Sequence, residues 1–155
     1  EMVLLVKKIC EIIESGADFD TVVSKAELYS NHTHIVFALS SFNNLVKNGR
    51  MSKIVGFVAN KLGFWGIGIG SKQGTIEIKQ KIRGSKKALD AIIDDMKERG
   101  YNCGKVVISH CRNAEFAESV KSAIQSVWDK AEVKIVHARG LCSYYAEKGG
   151  LIIGF

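Results

Sequence analysis

The chain has 155 residues, 46% hydrophobic and 25% charged, a balance that gives one globular domain enough apolar material for a core. No apolar run approaches the ~20 residues of a membrane-spanning helix, so a helical membrane protein is excluded. A net charge of +6 suits an anionic partner: nucleic acid, a phosphorylated ligand, a lipid headgroup or an acidic protein surface.

Met2, Leu5, Val6, Ile9, Ile12 and Ile13 recur at helical spacing, so a helix is expected from Glu1 to Ser15, stopped by Gly16. This pattern starts with no initiator methionine and no capping residue, from which we expect a piece of a longer chain. Asp18 or Asp20 caps a second helix bearing Val22, Val23, Ala26 and Tyr29. Residues 1–31 thus read as a helical hairpin leading into an α/β domain over 32–155. The run Thr33 to Leu39 is rich in β-branched and aromatic residues and reads as a strand. Ser40 or Ser41 caps a short helix ended by Asn48-Gly49, and Met51, Ile54, Val55, Val58 and Leu62 mark a further helix over 50–62.

The segment Gly63 to Gly74 is too glycine-rich for a helix and reads as a strand and turn. Its Gly66, Gly68 and Gly70 lack the GxGxxG spacing of a dinucleotide site, and Gly70-Ser71-Lys72 does not complete a phosphate loop. In the next strand, alternation places Ile76, Ile78 and Ile82 on one face and Glu77, Lys79, Lys81 and Arg83 on the other. Gly84 breaks it, and Ser85 caps a helix whose apolar set is Ala88, Leu89, Ile92, Ile93 and Met96, with Asp94, Asp95 and Glu98 on its exposed face. Lys86 and Lys87 fall in the first turn, where the helix dipole disfavours each cation by about 0.3–1 kcal/mol. With Arg83 they form a cationic turn that suits a phosphate or carboxylate; the plainer reading is solvated side chains.

Lys105 to Ser109 reads as a strand, Asn113 as the cap of a helix bearing Phe116, Val120 and Ile124, and Glu132 to Val136 and Leu151 to Phe155 as two more strands. Residues 140–150 read as a loop. The fold class is α/β (α+β), a mixed β-sheet flanked by helices. Adjacent His110 and Cys111 point to opposite faces of a strand and do not make a nucleophile-base pair. His110 sits where α/β folds contact ligands, although a histidine there more often satisfies local hydrogen bonds. His32 and His34 lack a third metal ligand. Cys10, Cys103, Cys111 and Cys142 show no CxxC spacing and follow no signal peptide, so reduced thiols in a cytoplasmic protein are expected.

The ordered motifs NNLVKNGRMSK (Asn43 to Lys53), KIRGSKKAL (Lys81 to Leu89), VVISHCRNAEFAE (Val106 to Glu118) and the ending GLIIGF resemble the DegV family from about Leu4 to Phe155. The resemblance is to the C-terminal lobe of a two-lobed protein of the EDD fold. It implies a protein, bacterial and cytoplasmic, that binds a long-chain fatty acid between its lobes without catalysis of its own. It further implies that the carboxylate is presented to a fatty acid kinase catalytic subunit, which makes an acyl phosphate. Arg83, Gly84 and Lys86 match the family's R-G-x-K-K-A turn, associated with the headgroup and kinase docking. Tyr145 stands where many relatives carry a carboxylate-binding histidine in H-x-G-P-G, and Gly149 matches its last glycine; a tyrosine hydroxyl also donates to a carboxylate.

From these residues we expect an acyl pocket made by Val36, Phe37, Ile54, Val58 and Ile67, weak binding by the isolated lobe, and no cofactor, metal or nucleic acid. Two rival readings are an anion-clamping phosphoryl- or acyl-transfer enzyme, which lacks an identifiable nucleophile, and a nucleic-acid-binding regulator, supported by net charge alone.

Overall fold

Helix α1 (Met2–Glu14) and helix α2 (Phe19–Ser30) pair before the first strand, and Asp18 caps α2 by accepting from the Thr21 amide at 2.8 Å. The structure is a computed structural model that describes residues 1–51, 63–71 and 75–155. The helix expected over 50–62, with Ile54 and Val58, therefore lies largely outside the described residues.

Among the described residues six strands form one sheet: β1 (Ile35–Leu39), β2 (Phe64–Gly70), β3 (Ile76–Arg83), β4 (Lys105–His110), β5 (Glu132–His137) and β6 (Leu151–Gly154), in the order β3-β2-β1-β6-β4-β5. Helix α4 (Ser85–Glu98) follows β3, and helix α5 (Ala114–Val127) joins β4 to β5. That β4–α5–β5 unit makes the parallel pair, while the other neighbours are antiparallel. Two short helices, α3 (Asn43–Lys47) and α6 (Gly140–Ala146), lie next to each other.

Strand alternation divides the core between the two faces of the sheet. On the first face Val36, Ala38, Ile67, Val106, Ile108, Leu151 and Ile153 pack against Ala88, Ile92 and Met96 of α4 and Phe116, Val120 and Ile124 of α5. On the second face Phe37, Leu39, Phe42, Leu45 and Ala146 form a smaller cluster with Ile78, Tyr145 and Ile152. Gly66 and Gly68 make this second cluster possible. A Cβ on either would strike a phenyl ring, that of Phe42 or Phe37, so their bare backbone is the surface on which the two rings lie.

Several expectations are corrected here. The single alternation expected along β3 is broken by a bulge: the register against β2 shifts between Ile67 and Gly68, leaving Lys79 as the extra residue. As a result Ile78 packs on the second face and Ile82 on the first. Asp95 is not on an exposed helix face but buried, accepting from Lys79 Nζ and Arg99 Nε, both at 2.8 Å. Gly84, with φ of 92°, occupies the cap position of α4, and Ser85 is already helical. The expected loop over 140–150 contains α6, stabilised by Ser143 Oγ donating to the Gly140 carbonyl and by Asn44 Nδ2 donating to the Tyr144 carbonyl, each at 2.8 Å.

Candidate functional site

Among the described residues, the second face of the sheet is left partly uncovered between α1 and the α3–α6 pair, and an apolar groove of about 410 Å³ crosses it. Phe37, Leu39, Leu45, Ile76, Tyr145 and Ile152 line it. These residues share a face through register: Phe37 pairs with Ile152 on one side and Gly68 on the other, and Gly68 pairs with Ile78. Thr33, His34 and Arg99 bound the groove beyond Ile35, and Tyr145 with Leu45 bounds it beyond Leu39. At ~3.3 Å per residue, the path along β1 from Thr33 to Leu39 is roughly 20 Å.

The two ends differ in chemistry. At the first, partial burial, reinforced by the Arg99 charge, lowers the His34 pKa against a smaller opposing effect of Asp95, so the imidazole is neutral at pH 7. Arg99 is held by Asp95. At the other end the Tyr145 ring packs edge-on against Tyr144, centroids 5.2 Å apart, and its hydroxyl makes no hydrogen bond among the described residues. A phenol placed so, at the rim of an apolar groove, can donate to a carboxylate.

The expected site residues distribute unevenly. Phe37 and Tyr145 line the groove. Val36 and Ile67, expected in the acyl pocket, do not: both are fully buried on the first face against α4, because each neighbours in sequence a residue of the opposite face. Ile54 and Val58 lie outside the described residues. Gly149 serves the fold, its amide donating to the Cys111 carbonyl and its carbonyl accepting from Asn113 Nδ2, both at 2.8 Å, so its single donor is already engaged.

Arg83 closes β3 at the same end of the sheet as Leu39, since β1 and β3 both run antiparallel to β2. It is exposed, with its guanidinium 6.0 Å from the centre of the Phe64 ring. Gly84 and Lys86 follow on the outside, and none of the three lines the groove. Sequence reasoning missed Leu39, Leu45, Ile76 and Ile152; the period-2 relation of Leu39 to Phe37 was the signal available. Among the described residues no group of three His, Cys, Asp or Glu side chains is placed to hold a metal ion, and no helix is long and apolar enough to cross a membrane.

Comparison with known proteins gives consistent matches. The family model described as "Uncharacterised protein, DegV family" matches residues 1–155. A DegV domain-containing protein of Streptococcus pyogenes serotype M1 is 41% identical over 155 residues, covering 100% of this chain and 55% of the relative. Among solved structures, the Streptococcus pneumoniae Fatty Acid Kinase (Fak) B3 protein loaded with linoleic acid superposes with a TM-score of 0.97 at 39% identity, over 100% of this chain and 55% of that one. A DegV family protein from Eubacterium eligens loaded with heptadecanoic acid gives 0.95 at 35%, over 99% and 55%. The chain thus spans about half the length of the relatives it matches.

Proposed function

This chain belongs to the DegV family, and from that premise we propose that its groove holds the tail of a long-chain fatty acid, with the carboxylate at the Tyr145 end. The observation that carries this reading is the groove itself: an apolar floor of Phe37, Leu39 and Ile152 with, at one rim, a phenol that has no hydrogen bond among the described residues. Its run of roughly 20 Å along β1 exceeds the ~15 Å that one leaflet's acyl chains fill in a bilayer. Burying the tail is worth about 0.8 kcal/mol per CH₂. The fatty acids in the Streptococcus pneumoniae and Eubacterium eligens structures support the same ligand class.

The finer proposal is that the protein is a non-catalytic, cytoplasmic subunit that needs no cofactor and presents the carboxylate to a kinase catalytic subunit. Arg83, with Gly84 and Lys86, lies exposed at the headgroup end of the sheet, where it is available to such a partner; the kinase name of the pneumococcal relative points the same way. The rival enzyme reading has less support, because among the described residues no hydrogen-bonded nucleophile-base pair lines the groove.

Mass spectrometry of ligand extracted from the full-length protein tests the proposal, with a C16–C18-class acyl chain as the expected result. An empty protein that also takes up no added fatty acid would sink it.

A further inference from the structure

The carboxyl ends of the parallel strands β4 and β5 open into a crevice separate from the groove, lined by His110, Arg112, His137, Arg139, Tyr144 and Lys148. Tyr144 lines the crevice and its neighbour Tyr145 the groove, so the two sites lie on either side of the tyrosine pair. In open α/β sheets, ligands bind outside the carboxyl ends of parallel strands, where side chains from separate turns converge.

Three cations reach this crevice from three different turns: Arg112 after β4, Arg139 after β5 and Lys148 after α6. None of them takes part in an ion pair among the described residues, and no described acid lines the crevice. Cations gathered without a counterion repel one another, and an anion relieves that repulsion.

His110 adds a directional donor. It is only 3% exposed, and its Nδ1 accepts from the Asn113 amide at 3.1 Å. The proton of the neutral imidazole therefore sits on Nε2, which has no partner among the described residues. The His137 ring lies beside it, centroids 4.5 Å apart. Arg112 has φ of 53°, a left-handed conformation unfavourable for a non-glycine residue and kept only where the surroundings impose it. Hydrogen bonds from the Cys111 amide to the Gly150 carbonyl and from the Gly149 amide to the Cys111 carbonyl, at 2.9 and 2.8 Å, fix the backbone just before it.

We propose that this crevice binds a phosphate group, either free phosphate or the terminal group of a small phosphate monoester, held by Arg112, Arg139 and Lys148 with His110 Nε2–H donating to one oxygen. Two guanidinium forks, an ammonium and an imidazole match the several acceptor oxygens of a tetrahedral dianion better than the two of a carboxylate. The site does not depend on the fatty-acid reading, and neither failure implies the other.

The test is an NMR titration of the histidine C2–H signals of this chain and of the full-length protein, with inorganic phosphate in one arm and phenyl phosphate in the other, at constant ionic strength. His110→Gln and His137→Gln assign the signals. Saturable shifts of both signals are expected, with at least tenfold weaker binding in Arg112→Ala/Arg139→Ala and unchanged binding in Lys25→Ala, an exposed cation of α2 that does not line the crevice. Tighter binding of phenyl phosphate assigns the site to a phosphorylated metabolite, and equal binding to phosphate itself. Shifts linear in phosphate, equal affinity in a folded double variant, or response to poly-glutamate but not to phosphate would each overturn the proposal. Should the double variant fail to fold, Arg139→Gln alone, in the exposed turn after β5, provides the comparison.

Discussion

The backbone amide of Asn44 donates to the Glu147 carboxylate at 2.8 Å, across 103 residues of sequence. The same carboxylate accepts from Ser41 Oγ. One side chain thus ties the start of α3 to the end of α6, the two helices that carry Leu45 and Tyr145 to the groove. Glu147 does this from a left-handed conformation, φ 52°, so it combines backbone strain with a capping carboxylate. Glu147→Ala keeps the strain and loses the cap, and is expected to cost about 1–2 kcal/mol. Glu147→Gly loses the cap but relieves the strain, and is expected to be milder by about 1 kcal/mol. Urea denaturation of the two variants measures the order, and a less stable glycine variant contradicts it.

Gly68 supports Phe37 from beneath, and its substitution should be felt in the groove. A methyl at position 68 meets both the Phe37 ring and the Glu77 carbonyl, so one of them must move. Gly68→Ala is expected to cost about 1–3 kcal/mol as an overpacked site and to weaken uptake of added fatty acid by pushing the ring into the groove. Gly16→Ala is a useful contrast: apart from its chain neighbours, no atom of the described residues lies within 4 Å of the added methyl, and the penalty there is the strain of φ 81°. Equal fatty-acid uptake by both variants and the parent would separate Phe37 from the groove.

Asp95 is 3% exposed and holds Lys79 of the β3 bulge and Arg99 at the end of its own helix. Removing the buried carboxylate takes a partner from both cations, although Lys79 keeps Glu98 at 2.8 Å, so Asp95→Ala is expected to destabilise by about 1–3 kcal/mol. Lys79→Met, which leaves the Asp95–Arg99 pair intact, should cost less. Arg99 also bounds the groove, so the aspartate loss should loosen that end and broaden the chain lengths accepted. Denaturant midpoints and competition among saturated fatty acids read the two effects separately.

The fold class could be read from the sequence because each periodic segment bears its own signal: helical spacing in α4 and α5, and apolar runs in β1 and β4. The β3 bulge could not, because one extra residue on the strand is invisible to a period of two. Asp95 misled for a related reason. Its neighbours Asp94 and Glu98 are polar and exposed, and only the bulged Lys79 and the folded-back Arg99 make burial at 95 tolerable. The groove was half legible. Phe37 marked it, but choosing Val36 and Ile67 beside it required a face assignment, and Val36 and Phe37, adjacent in one strand, cannot share a face. Glu147 and Asn44 were beyond sequence reasoning, since nothing local announces a cap donated from so far along the chain.

Burial, and after it the charge of His137, lowers the His110 pKa from its ordinary 6.5. The folded state therefore resists a proton that the unfolded chain accepts. Stability is unaffected at pH 8 and falls as pH drops through about 6.5 toward the lower folded value, because the unfolded state then binds more protons. His34 is shifted the same way, mainly by burial, and contributes with the same sign. In phosphate-free buffers, the denaturation midpoint should fall between pH 7.5 and 5.5, and His110→Gln/His34→Gln should flatten that slope. A double variant with the parent's slope would place its origin elsewhere.

Arg83 and Tyr145 stand at the same end of the sheet but not in one pocket, so on the proposed function their substitutions should separate two steps. Arg83 is exposed, and its aromatic contact with Phe64 is a weak one at 6.0 Å. Arg83→Ala is therefore expected to leave folding within about 0.5 kcal/mol of the parent and fatty-acid retention unchanged. In full-length protein it should lower phosphorylation of the bound acid by a kinase partner at least tenfold. Tyr145→Phe removes a single hydroxyl at the groove rim and should weaken retention itself, by about 1–2 kcal/mol if the phenol donates to a carboxylate. Retention assays with a fluorescent fatty acid and coupled phosphorylation assays distinguish the two. Loss of retention in Arg83→Ala would draw this arginine into the headgroup site, and unchanged phosphorylation would remove it from the partner surface.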